Sequence, residues 1–165
     1  MSQVGQRERI TQNRVVHFFQ QQLGYRYLGD WQDRNENKNI EHDILIAWLK
    51  KRGISDALIN RTMRQLDTAT ALGEGKKLYY ANKDVYRLLR YGVKDKEGAG
   101  ELNQTVWLID WHHPEANDFA IAEEVYIKGE NKKRPDIVLY INGIALGVLG
   151  LKRSLVDVSE GIRQN

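Results

Sequence analysis

The sequence predicts an α/β fold in which N-terminal helices pack on a mixed, mainly antiparallel central sheet. Three observations point there. Apolar residues recur at helical spacing as far as Leu89. After residue 104 the period becomes that of strands, in TVWLIDW (105–111), DFAIAEEVYI (118–127), DIVLYI (136–141) and IALGVLGLK (144–152). A new helix then opens at SEGIRQN, with Ser159 as its cap. Helices, then a meandering sheet, then a helix is the order of an α/β or α+β domain, and α/β is the reading taken.

The elements follow in order. From Glu8 to Gln22 the stripe Ile10, Val15, Phe18, Phe19, Leu23 predicts a first helix, stopped by Gly24. QDRNENKN (32–39) is polar and predicts a loop. Ile40 to Lys51 predicts a second helix with Ile44, Leu45, Trp48 and Leu49 inward, ended by Gly53. Ser55 caps a third, running to about Leu72. GEGKK (73–77) breaks the pattern. Asn82 is the expected cap of a short helix through Leu89, and KDKEGAGE (94–101) is a charged loop. Asn142-Gly143 predicts a hairpin between the last two strands, because both residues tolerate positive φ. There is no internal repeat and no low-complexity segment.

A chain of 165 residues suits one domain with a sizeable core. Its net charge of +3 is compatible with a polyanionic partner without demanding one. The absence of cysteine excludes a disulfide framework and thiolate-bound zinc, and it fits a reducing compartment. MSQVGQRERI lacks the apolar core of a signal peptide, and no apolar run approaches the length of a membrane span. The expectation is a cytoplasmic chain with no membrane partner. Its ending inside a helix suggests a fragment of something longer, with residues 1–165 forming one N-terminal domain.

The chemistry is concentrated in RPDIVLYINGIALGVLGLKRS (134–154). Alternation along a strand puts Gly150 and Lys152 on one face and Leu151 on the other. A two-residue Asn-Gly loop sets Asp136 opposite Leu149, on the wrong face. A three-residue loop sets it opposite Val148, on the right one. An odd-length loop or a bulge is therefore expected if Asp136, Gly150 and Lys152 are to share a face. Such a face suits phosphodiester cleavage. Asp136 and the Leu151 carbonyl offer oxygens to a hard cation such as Mg²⁺, and Lys152 orients the nucleophile or stabilises the transition state. An Asp after Pro and a Lys at a strand end are also commonplace without any such role.

The stretch 134–165 closely resembles the nuclease core of the R (restriction) subunit of type I restriction-modification enzymes. NDFAIAEEVYIKG, LIDWHHPEANDF and RERITQNRVVHFFQQQLGYRYLGDW are similar to the amino-terminal segment of the same family, so the resemblance covers nearly the whole chain. It implies a restriction-endonuclease-like PD-(D/E)xK core. Pro135-Asp136 matches the first acid, Lys152 the motif Lys, and Gln164 the first position of a downstream Q-x-x-x-Y element. The departure is at Val148-Leu149-Gly150-Leu151-Lys152, where the family pattern reads like V-I-E-L-K. Gly150 stands where the second metal-binding acid belongs. What the resemblance implies is a type I site-specific deoxyribonuclease domain, dependent on Mg²⁺ and acting on double-stranded DNA, with cleavage impaired as written. It also implies a complex with the ATP-driven translocase domains of the R subunit, whose motifs are absent here, and with methyltransferase and specificity subunits. The alternative is a non-catalytic DNA-binding or assembly module of that complex.

Other positions have two readings each. Glu8 matches an acid found near the site in this nuclease superfamily, or is a solvated helix residue. Glu160 is a candidate substitute for the missing acid. Of Glu123-Glu124, one faces inward or toward the site, or simply lies at the sheet surface. Lys132, Lys133, Arg134 and Arg153 form a rim for DNA phosphates or a solvated loop. Adjacent His112-His113 make poor joint ligands and read as loop. GEGK (73–76) lacks phosphate-loop spacing. The four Trp and most Tyr fall in helix stripes or strands and are expected in the core rather than as base-stacking platforms.

Overall fold

A computed structural model describes residues 3–73, 75–126 and 134–151, with side chains from residue 9 onward. The chain divides into two compact units, Met1–Glu41 with Asp118–Asn165, and His42–Asn117. The second is contained in the connection between two neighbouring strands of the first.

In the first unit, helix α1 (Gln3–Gln21) precedes a four-stranded mixed sheet of order β1-β4-β5-β6. Its strands are β1 (Arg26–Asp30), β4 (Phe119–Glu123), β5 (Ile137–Ile141) and β6 (Ile144–Leu149). β1 runs parallel to β4, and β4, β5 and β6 form the expected antiparallel meander. Alternation splits the core between two faces. Trp31, Ala120, Ala122, Val138 and Tyr140 cluster on one. Ile121 and Ile137 meet Val16 of α1 on the other, flanked by Phe19 and Leu149. Fully burying each of these isoleucines contributes roughly 1.5–3 kcal/mol.

The second unit holds α2 (His42–Lys51), α3 (Asp56–Thr70), α4 (Leu78–Tyr91) and a two-stranded antiparallel sheet of β2 (Val93–Asp95) and β3 (Gln104–Val106). Leu45, Leu49, Leu58, Leu66, Val93, Val106 and Leu108 are fully buried. Ser55 caps α3 as expected, its side chain accepting from Leu58 N at 3.4 Å.

Several expectations are corrected. In α1 the inward residues are Gln12, Val16 and Phe19, while Ile10, Phe18 and Leu23 are about half exposed. Val15 and Phe19 of the expected stripe do pack beside Val16, and Gln12 stands one turn before Val16 on the same side. Helix α4 starts at Leu78 and not at Asn82, because Lys77 already adopts the extended cap conformation. Only Thr105 and Val106 of TVWLIDW form a strand, since Leu108–Asp110 turn back toward Asn117: Asp110 N donates to the Asn117 side chain at 2.9 Å. β1 and β2 were not anticipated, because short strands with polar residues carry little periodic signal. Among the described residues no helix is long and apolar enough to cross a membrane.

Candidate functional site

The geometry of the Asp136 site is set by a bulge. The Asn142-Gly143 turn is two residues long, with φ of 52° and 83°, and it pairs Ile141 with Ile144 and Tyr140 with Ala145. Continued without interruption, that register would put Asp136 opposite Leu149. Instead Leu146 is an extra residue: Leu139 pairs with Gly147, and Ile137 with Leu149. The next position along therefore sets Asp136 against Gly150. A bulge is one of the two devices expected, and it is what shifts this register. Leu139 packs over its partner Gly147, where an added Cβ would lie 3.2 Å from Leu139 Cδ1. The Asp136 carboxylate accepts a hydrogen bond from the Leu151 backbone N–H, which ties the start of β5 to the residues just after β6.

The carboxyl ends of β1 and β4 gather more acids beside Asp136. Asp30 and Glu123 are register partners. Both Glu123 and Glu124 are buried, so neither is the surface residue that alternation allowed. Glu124 has φ of 52°, which breaks the alternation and turns both side chains inward. Gln12 lies between them. Its amide donates to Glu123 Oε2 at 2.6 Å, to Glu124 Oε1 at 3.1 Å and to the Asp136 carbonyl at 3.4 Å. The Tyr27 hydroxyl donates to Glu123 Oε1 at 2.7 Å. Desolvation, aided by that bond and the charge of Glu123, pushes the Tyr27 phenol up to about 12. Arg9 reaches Asp30 at 3.4 Å and Glu123 at 3.7 Å, and Arg134 Nε sits 2.9 Å from Glu124. Arg134, expected on a phosphate-contacting rim, is thus engaged with a carboxylate next to the site.

This network was only partly legible beforehand. Glu123 and Glu124 stand out in the sequence as adjacent acids on a strand, whereas Gln12, Tyr27, Asp30 and Arg9 carry no motif signal. The available signal was a polar residue at the head of the spacing Gln12, Val16, Phe19, an amide on an otherwise apolar face. Position 8 lies one turn before Gln12 on α1. The side chain of Glu8 falls outside the described residues, as do Lys132, Lys133, Lys152, Arg153, Glu160 and Gln164.

A divalent metal is what a restriction-endonuclease family implies, and the described residues do not by themselves fit one. Asp136 supplies a single carboxylate, and Gly150 opposite supplies no side chain. Glu123 and Glu124 are held by Gln12, Tyr27, Arg9 and Arg134. Among the described residues no group of three or more His, Asp or Glu side chains is placed to hold a metal ion.

Comparison with known proteins assigns the chain a family. The family described as Type I restriction enzyme R protein N terminus matches residues 5–165. Two Methanocaldococcus jannaschii chains are similar over shorter stretches. One, named as the endonuclease subunit of the type I restriction enzyme MjaVIIIP, is 39% identical over 63 residues, 38% of this chain and 6% of its own length. The other, named as the endonuclease subunit of MjaIXP, is 34% identical over 76 residues, 42% of this chain and 7% of its own. The matched stretches are thus a small part of those relatives. No solved structure matches the chain. With a mixed α/β sheet in place and the family matching almost end to end, the chain belongs to the type I restriction enzyme R protein N-terminus family.

Proposed function

We propose that residues 1–165 form the DNA endonuclease domain of a type I restriction enzyme R subunit, impaired in cleavage by Gly150. The observation that carries this reading is the register shift at Leu146, which pairs Ile137 with Leu149 and, continued by one residue, would set Asp136 against Gly150. It supports Asp136 as the first motif acid and position 150 as the seat of the second, with Lys152 as the motif Lys and Gln164 beginning the downstream element. Mg²⁺ is the cofactor proposed for the family's site, where it supplies activated water and neutralises phosphate charge. Here one anionic ligand is missing, and Mg²⁺ dehydrates reluctantly, so its hold is weak. Double-stranded DNA is the proposed substrate. The proposed partners are the translocase domains, which alone would use ATP, and the methyltransferase and specificity subunits, all in the cytoplasm.

A second reading rests on the same glycine: the domain binds DNA or assembles the complex without cutting. The test is DNA cleavage by the assembled enzyme with Mg²⁺ and ATP. The Gly150 form should cut at least ~100-fold slower than Gly150→Glu, since metal activation is worth several kcal/mol. Adding Lys152→Ala should abolish the restored activity. Robust cleavage by the Gly150 form would refute the impairment and point to another acid, Glu160 first. Failure of Gly150→Glu to cut would favour the non-catalytic reading.

A further inference from the structure

The unit His42–Asn117 presents exposed aromatic and basic side chains that the nuclease reading does not use. The expectation that the tryptophans lie in the core holds for Trp31 and Trp48, which are 9% and 7% exposed. It fails for Trp107 and Trp111, which are 44% and 47% exposed. These two indoles and Trp48 line a cavity of about 360 Å³, together with Arg52, His112 and His113. That volume lies within the range of small-ligand sites.

Helix α4 extends this surface. Tyr79, Lys83, Tyr86 and Arg90 are spaced by four, three and four residues, so they fall on one narrow stripe. All four are exposed, opposite a buried side that contains Ala81. Tyr80, Arg87 and Tyr91 form a second exposed row beside it. The one acid of the helix, Asp84, is paired with Lys76 at 3.0 Å. The stripe leads to the cavity: the Arg90 guanidinium lies 5.8 Å from the Trp111 ring centroid, and Trp111 Nε1 donates to Leu89 O at 2.9 Å. The one carboxylate in the cavity, Asp110, is engaged by Arg52 at 2.6 Å and by the backbone N–H groups of His112 and His113. Among the described residues, the stripe therefore offers rings and cations in alternation, and the acids of α4 and the cavity, Asp84 and Asp110, are both paired.

We propose that this face is a binding tract for single-stranded nucleic acid, with a base stacked in the Trp107–Trp111 cavity and the strand following α4. Every base has a π-face, so rings spaced along a helix accept consecutive bases without reading sequence. Lys83, Arg87 and Arg90 between them suit a repeating phosphate backbone. In a duplex the base faces are covered by their neighbours, which leaves the rings nothing to stack on. A docking protein also favours Trp, Tyr and Arg, but it does not call for a cation between successive rings. The proposal does not rest on the nuclease reading, because each residue it uses lies between His42 and Asn117 and its test needs no cleavage.

The test is equilibrium binding of labelled oligothymidylate to the full chain, by fluorescence anisotropy across a salt series. An abasic oligonucleotide of equal length should bind at least ~10-fold more weakly, as the loss of stacking predicts. The double variant Tyr79→Ser/Tyr86→Ser should weaken oligothymidylate binding by roughly 10- to 100-fold with an unchanged salt slope. Lys83→Gln/Arg90→Gln should instead lower that slope by about 1.4, at about 0.7 per phosphate contact. All four positions are exposed, and matching circular dichroism spectra would show that folding is retained. Equal affinity for the abasic strand would overturn the proposal, as would oligothymidylate binding that neither double variant changes. So would absence of binding at low salt, with Tyr79→Ser/Tyr86→Ser abolishing capture of a companion subunit. That last result would make the face a protein-docking surface.

Discussion

The side-chain amide of Gln12 lies 2.6 Å from Oε2 of Glu123, joining the middle of α1 to the last residue of β4. A buried carboxylate is costly without partners, and here the partners also reach the Asp136 carbonyl. The helix thereby helps to fix where β5 begins, and so where Asp136 stands.

Replacing Gln12 by Leu keeps the volume and removes the donor. Glu123 and Glu124 each lose a hydrogen bond while remaining buried, so unfolding free energy should fall by about 1–3 kcal/mol. Gln12→Glu should cost more, because it sets a third carboxylate against two. Urea denaturation at neutral pH measures both. Wild-type stability for Gln12→Leu would mean that water or a neighbour satisfies both acids.

Metal addition should separate Gly150 from Gly150→Glu without any cleavage assay. A Glu at 150 faces Asp136 across the strands and repels it, so that variant should be less stable than the Gly150 form in EDTA. Saturating Mg²⁺ should reverse the order. A ligand at a hundred times its dissociation constant adds about 2.7 kcal/mol, and the Gly150 form should gain little. Equal shifts of Tm on adding Mg²⁺ would show that position 150 is not a metal ligand.

Tyr27 should be among the last tyrosines to ionise. Its pKa is raised to about 12 by desolvation and by Glu123, and burial raises Tyr140 further. The folded value lies above the unfolded one, so the contribution to stability is complete below pH 10 and is lost as pH rises through about 12. In a phenolate absorbance titration, Tyr27→Phe should remove amplitude from the late step and leave the early one intact. Loss of early amplitude instead would show that the Tyr27–Glu123 bond does not form.

Asp110 predicts the behaviour in acid. The backbone N–H of His113 holds its carboxyl below the usual aspartate value, with Arg52 and the His112 N–H adding to it. A depressed folded value means the stabilisation is present above the ordinary pKa of 3.8 and is lost as pH falls through the folded value. Asp110→Asn should therefore lower Tm at pH 6 and reduce the dependence of Tm on pH below about 4. An identical acid limb in the variant would count against the assignment.

The sequence by itself determined the fold class, the antiparallel meander of the last three strands, the Ser55 cap and the motif interrupted at Gly150. Each depends on local information: a period, a turn dipeptide, a capping side chain or an unexpected residue at one position. The tertiary structure decided the rest. Asn142-Gly143 specifies a tight turn, but whether Asp136 faces Gly150 depends on Leu146 being left out of the pairing, and a slip of one residue reverses every face. Gln12 has no strand-like or motif signal, and its role exists only because α1 crosses the end of β4. The apolar periodicity that predicted core tryptophans measures hydrophobicity along the chain, whereas burial depends on what packs above each ring. For Trp107 and Trp111, the residues around them in space leave each residue almost half exposed.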